Sequence, residues 1–176
     1  MVPLPQSTYP WLLKAAGVLF ILFPTVYFGY FIYLSIYWGA ADRLVLLFIS
    51  DALFFILYII GAGLLLLKSW SWWLLITLFL QFIFAKIISL AVNVWMIQPA
   101  GLSREIAADQ IAVEAIYIFF FVTVIVFFSL SPIKRTLGVN FQLKRHLWRV
   151  AAGALLLYFI HLIVMAGGLA LFTPGN

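Results

Sequence analysis

Five long apolar stretches leave this chain little choice of architecture. They run from about 11 to 38, 44 to 67, 70 to 97, 106 to 130 and 147 to 172. Each exceeds the ~20 residues that a helix needs to cross the hydrocarbon of a bilayer. Barrel strands are about ten residues long and alternate strictly, which excludes them here. A backbone in lipid must satisfy its own hydrogen bonds, so the runs are expected to be helices. Only 9% of the residues are charged and 67% are apolar, whereas a soluble domain is roughly one-quarter charged. The expected fold is therefore an all-α integral membrane protein, with residues 1–176 forming one bundle of about five transmembrane helices.

The first run is too long for the ~7–15 apolar residues of a signal peptide, and it is read as a retained helix. Pro24 within it removes a backbone donor, which predicts a kink near Leu22–Thr25.

Charge gives the orientation. Lys134, Arg135, Lys144, Arg145 and Arg149 lie between the fourth and fifth runs or at the start of the fifth, and basic loops stay cytoplasmic. Five crossings then put Lys14 at the N-terminus and the Lys68–Ser69 turn on the same side. The outer loops hold Asp42, Arg43, Arg104, Glu105 and Asp109. That gives seven Lys or Arg inside and two outside, with Thr173–Asn176 at an outer C-terminus. The expected location is the cell membrane, taken to be a bacterial inner membrane. The seven tryptophans all fall near run ends, as in an interfacial aromatic belt.

Several chemistries are excluded. The chain has no cysteine, so disulfides, iron–sulfur clusters, thiolate zinc sites and cysteine nucleophiles drop out. It carries no phosphate-binding glycine loop, nucleotide fingerprint or zinc motif, and no cofactor is expected. His146 and His161 are 15 residues apart, roughly 22 Å along a helix, so they cannot share a metal or haem. With a net charge of +5 carried mainly in loops, the expected counter-charge is the anionic lipid headgroup rather than nucleic acid. The basic segment 134–149 also suits docking of a cytoplasmic partner, and its interleaved Phe141, Leu143 and Leu147 suit a short interfacial helix. No internal repeat is visible, which argues against an inverted-repeat transporter within one chain.

The functional signal lies in four ionisable residues inside the runs: Asp51, Lys86, Glu114 and His161. A charge facing lipid at such depth costs at least ~2.5–3.5 kcal/mol, so each needs a partner. Counted from the outer ends, Asp51 lies roughly 10 Å deep, Glu114 about 12 Å, and Lys86 and His161 about 16 Å. All four are expected in one layer, with Lys86 bridging Asp51 and Glu114. Ser89 and Asn93 share a face with Lys86, and Tyr30 falls near the same depth. Ala154, His161 and Gly168 recur every seven residues, so a neighbouring helix can approach His161 closely.

Two carboxylates and one ammonium leave one negative charge for a proton or cation to cancel, which makes the layer a candidate protonation-sensitive site. The alternatives are a structural staple of paired ions and a set of neutral hydrogen-bonded acids. The leading functional expectation is a non-enzymatic accessory or assembly subunit of a membrane complex. The others are a small transporter or channel for a proton, ion or polar solute, and a lipid-modifying enzyme. Partner membrane subunits or a homo-oligomer belong to the first.

Overall fold

The computed structural model describes residues 8–39, 41–100, 104–140 and 143–172. The helices are α1 (Thr8–Trp38), α2 (Ala41–Ser50), α3 (Phe55–Leu65), α4 (Ser69–Ala100), α5 (Arg104–Ser129), α6 (Ser131–Thr136) and α7 (Leu143–Phe172). A 3₁₀ turn, Ala52–Phe54, joins α2 to α3. Among the described residues four helices are long and apolar enough to cross a membrane, and the bent pair α2–α3 makes a fifth span if counted as one.

Contacts between helices fix the directions of the chain. Gly17 meets Gly61, and Phe28 stacks on Phe55, so α1 and α3 are antiparallel. Gly63 lies against Ser71 while Phe54 meets Phe82, so α3 and α4 are antiparallel too. Trp72 reaches Phe128 and Lys86 reaches Glu114, which makes α5 antiparallel to α4. Trp73 contacts His146 and Thr77 contacts Gly153, so α7 runs parallel to α4. The start of α1, the α3–α4 turn, α6 and the start of α7 therefore share one end of the bundle, called here the near end.

The close-packed core sits in the near half. Leu13, Ile60, Leu64, Trp72, Leu75 and Ile133 are almost fully buried there. Glycines make the approach possible: a Cβ on Gly61 would sit 2.7 Å from the carbonyl oxygen of Gly17, and one on Gly17 2.8 Å from that of Gly61. Lipid tails are as apolar as leucine, so helices in a bilayer associate through such contact rather than through escape from water.

Two turns at the near end use the same hydrogen bonds with different residues. Lys68 N–H donates to Gly63 O (2.8 Å) and Leu67 N–H to Leu64 O (3.1 Å). After α6, Val139 N–H donates to Lys134 O (2.8 Å) and Gly138 N–H to Arg135 O (3.0 Å). Both are Schellman closures, which require a left-handed residue. Gly138 takes that position at φ 65°, and Leu67 takes it at φ 51°. The leucine accepts strain of about 1–2 kcal/mol and packs its side chain against the core.

The structure departs from the sequence reading in three places. The second run is not one helix: it breaks at Ser50–Asp51, and the two pieces are bent by 62°. The basic segment contains the short α6, but Leu143 and Leu147 belong to α7, and Phe141 lies outside the described residues. Trp72 does not join an interfacial belt, being only 1% exposed. Its Nε1–H donates to Phe128 O at 2.7 Å. That carbonyl would take its helical bond from residue 132, which is proline and has no N–H. Trp11, Trp38, Trp70, Trp95 and Trp148 are exposed, as a belt requires.

Candidate functional site

The polar residues gather around the break between α2 and α3. Asp51 has φ −105° and ψ 17°, outside the helical basin. Its N–H still donates to Leu47 O at 2.9 Å, but Phe54 N–H turns to Asp51 O, also at 2.9 Å. In a continuous helix Phe54 N–H would donate to Ser50 O. The orphaned Ser50 carbonyl is instead taken by His161 Nε2 of α7 at 2.8 Å. A carbonyl only accepts, so Nε2 carries the proton. The local cause is legible in the residues: serine and aspartate side chains compete for helical backbone bonds. Ser50 Oγ does so, donating to Leu47 O at 3.0 Å.

Asp51 faces α1, where Tyr27 Oη donates to its Oδ2 at 2.7 Å. One turn away Thr25 and Tyr58 join their hydroxyls across the α1–α3 contact at 3.1 Å. The break is thus held on two sides, by α1 at the carboxylate and by α7 at the carbonyl. Gly168 completes the α7 contact, since a Cβ there would lie 2.8 Å from Ile49 Cγ2. Ala154 is fully buried on the same helix. The seven-residue spacing of Ala154, His161 and Gly168 therefore marks the packed face of α7.

Lys86 and Glu114 form a separate pair between α4 and α5. Lys86 Nζ lies 3.0 Å from Oε2 and 3.3 Å from Oε1. It also sits 4.6 Å above the Tyr117 ring, a cation–π contact that further shelters the charge. The side chains are 32% and 14% exposed, so the pair lies at the edge of the packed region. The expected single layer is thus resolved into pairs: Lys86 meets Glu114, and Asp51 turns to Tyr27 rather than bridging to the lysine. On α1 Tyr27 is half-buried, whereas Tyr30 is 57% exposed and Tyr33 and Tyr37 also face outward. Ser89 lies half-buried on α4, and the side chain of Asn93 lies outside the described residues.

Sequence reasoning overlooked Gln81. It is 1% exposed in the middle of α4, and its Oε1 has no hydrogen-bond partner among the described residues. The signal was available, since Gln81 is a polar residue inside the third apolar run.

A third polar feature lies at the near end. Trp73 and Thr77 of α4 and His146, Arg149 and Val150 of α7 line a groove of about 240 Å³. Arg149 is exposed and stands 5.5 Å from the Trp148 ring. Lys134 and Arg135 lie on α6, and the side chains of Lys144 and Arg145 fall outside the described residues.

The described residues form an all-helical bundle with four or five spans long and apolar enough to cross a membrane. Comparison with protein-family models, curated proteins and solved structures returned no match.

Proposed function

We propose that the chain is a multi-pass membrane protein that acts as a non-enzymatic structural subunit of a membrane assembly. Its residence would be a cell membrane of the bacterial inner-membrane type, with the near end in the cytoplasm. The basic bias of that end supports the orientation, because Lys14, Lys68, Lys134, Arg135 and Arg149 all belong to elements that meet there.

One observation carries the structural role. The expected functional charges are engaged in interhelical bonds of this chain: Tyr27–Asp51, Lys86–Glu114 and His161–Ser50. Each of these groups already serves to fasten one helix to another, which supports a structural use of them. The outward face of α5, with Val113, Ile116, Phe119 and Phe120 exposed, is available to lipid or to a neighbouring subunit.

The test is extraction of the tagged chain from its native membrane in mild detergent, with a photo-crosslinker at Ile116 or Phe120. A defined neighbouring chain joined at one stoichiometry supports the subunit reading. A monomer that crosslinks only to lipid overturns it.

A second reading has one specific observation behind it. A helix broken inside a span, with a carboxylate at the break, resembles the discontinuous helices that hold ions in transporters. This reading makes Asp51 the cation- or proton-binding group. In proteoliposomes it requires an ion or proton flux that Asp51→Asn abolishes, and a parent chain with no flux rules it out.

A further inference from the structure

The groove between α4 and α7 is used by none of the interhelical bonds at the break, and its lining has a chemistry of its own. It combines a guanidinium, an imidazole and a hydroxyl with an indole face and an apolar floor. None of its lining residues is acidic. We propose that this groove binds the phosphate of an anionic lipid headgroup. The proposal requires the chain to lie in a bilayer, but it does not depend on the scaffold role.

Geometry assigns the parts. Val150 is buried and forms the floor. Thr77 is half-buried with its methyl toward Gly153, where a Cβ would stand 3.3 Å from Thr77 Cγ2. His146 meets Trp73 edge-to-face, with ring centroids 5.4 Å apart and planes at 74°. Arg149 stands beside the Trp148 ring, which limits the directions its fork can take. A planar guanidinium matches two phosphate oxygens at once, and an oriented arginine loses less freedom in doing so. The Thr77 hydroxyl supplies a further donor to the same group.

Depth selects a lipid as the source of the phosphate. Trp73 lies four residues into α4, roughly 6 Å from its start, and Arg149 lies roughly 9 Å into α7. Those starts are the basic end of the bundle, so the groove opens at headgroup level. Tryptophan favours that level, and the basic residues of α6 and the first turn of α7 raise the local concentration of anionic lipid.

The experiment places the chain in phosphatidylcholine nanodiscs containing increasing phosphatidylglycerol. Lipids retained after transfer to neutral detergent are counted by native mass spectrometry. One retained phosphatidylglycerol is expected. Arg149→Ala should weaken its retention about five-fold. Thr77→Val leaves the charge unchanged and should weaken it about three-fold. Arg135→Ala, on the exposed side of α6, removes only diffuse attraction and should weaken it clearly less than Arg149→Ala.

Equal losses in the Arg135 and Arg149 variants would reduce the effect to diffuse attraction and overturn the site. An unchanged Thr77→Val would do the same. Displacement of the lipid by millimolar inorganic phosphate would identify a free-phosphate site and overturn the lipid assignment. Failure of the chain to enter nanodiscs would count instead against the membrane reading.

Discussion

The two halves of this bundle are held together by different means. In the near half, helices touch backbone to backbone at Gly17–Gly61, and large side chains are buried almost completely. In the far half, Asp51, Lys86, Glu114 and His161 are only half-buried, and a few polar bonds join the helices beside one close contact at Gly168–Ile49. Dense contact is rigid because every atom resists displacement. A polar pair fixes one distance and leaves its surroundings freer. The near half thus serves as the frame and the far half as the part whose geometry depends on a few bonds.

The largest test of that division is Gly61→Val. Its Cβ has nowhere to go, since the nearest atoms are the Gly17 carbonyl oxygen and Ile21 Cγ1, both at 2.7 Å. A loss of about 3 kcal/mol is expected, at the upper end of overpacking costs. Reversible denaturation in mixed micelles measures it. Gly167→Val is the control, because a Cβ there meets nothing within 4 Å. Equal effects at the two positions would end the distinction between the halves.

Next comes Trp72→Phe. The ring volume is partly kept, but Phe128 O loses its donor, and Pro132 offers none in its place. About 2 kcal/mol is expected for a buried carbonyl left unpaired. An unchanged denaturation midpoint would mean that water reaches this carbonyl and that the near half is less tightly closed than its burial implies.

In the far half the effects should be smaller and should depend on one another. Lys86→Met leaves Glu114 without its counter-charge, and Glu114→Gln does the reverse. Each single change is expected to destabilise, while the double change recovers part of the loss. The coupling should be about 1 kcal/mol, within the range measured for polar pairs between membrane helices. Strictly additive losses would show that the 3.0 Å contact has no energetic weight.

The sequence makes the frame legible because span length and apolarity are local properties. The helices α1, α4, α5 and α7 follow the expected limits to within a few residues. The pattern of Ala154, His161 and Gly168 also identifies the packed face of α7 from spacing alone. The break at Asp51 was harder to read because it depends on distant residues. Ser50 and Asp51 weaken the helix, but the bend is sustained by His161 taking the freed carbonyl and by Tyr27 taking the carboxylate. Depth along the helix brought Asp51, Lys86, Glu114 and His161 to similar levels, but depth says nothing about azimuth. Lys86 therefore pairs with Glu114, its neighbour on the adjacent helix. Trp72 escaped for a related reason: the need of Phe128 O for a donor arises from a proline on another segment.

The smallest predicted effect discriminates best between a scaffold and a conduit. Tyr27→Phe removes the hydroxyl from Asp51 and leaves the ring in its aromatic contacts with Phe23, Phe31 and Phe54. About 0.6 kcal/mol of stability should be lost, the average for such bonds in a membrane. His161→Leu acts on the other side of the same break and should cost about 1 kcal/mol, because the half-buried Ser50 carbonyl then lacks its donor. If the break is only a fastened bend, the two losses add within about 0.3 kcal/mol, since the bonds share no atom. If the bend moves as a unit between two positions, releasing one side relaxes the other. The double variant would then lose clearly less than the sum. Equilibrium unfolding of the two single variants and the double variant provides the answer, and sub-additivity would shift the weight of argument toward a moving Asp51.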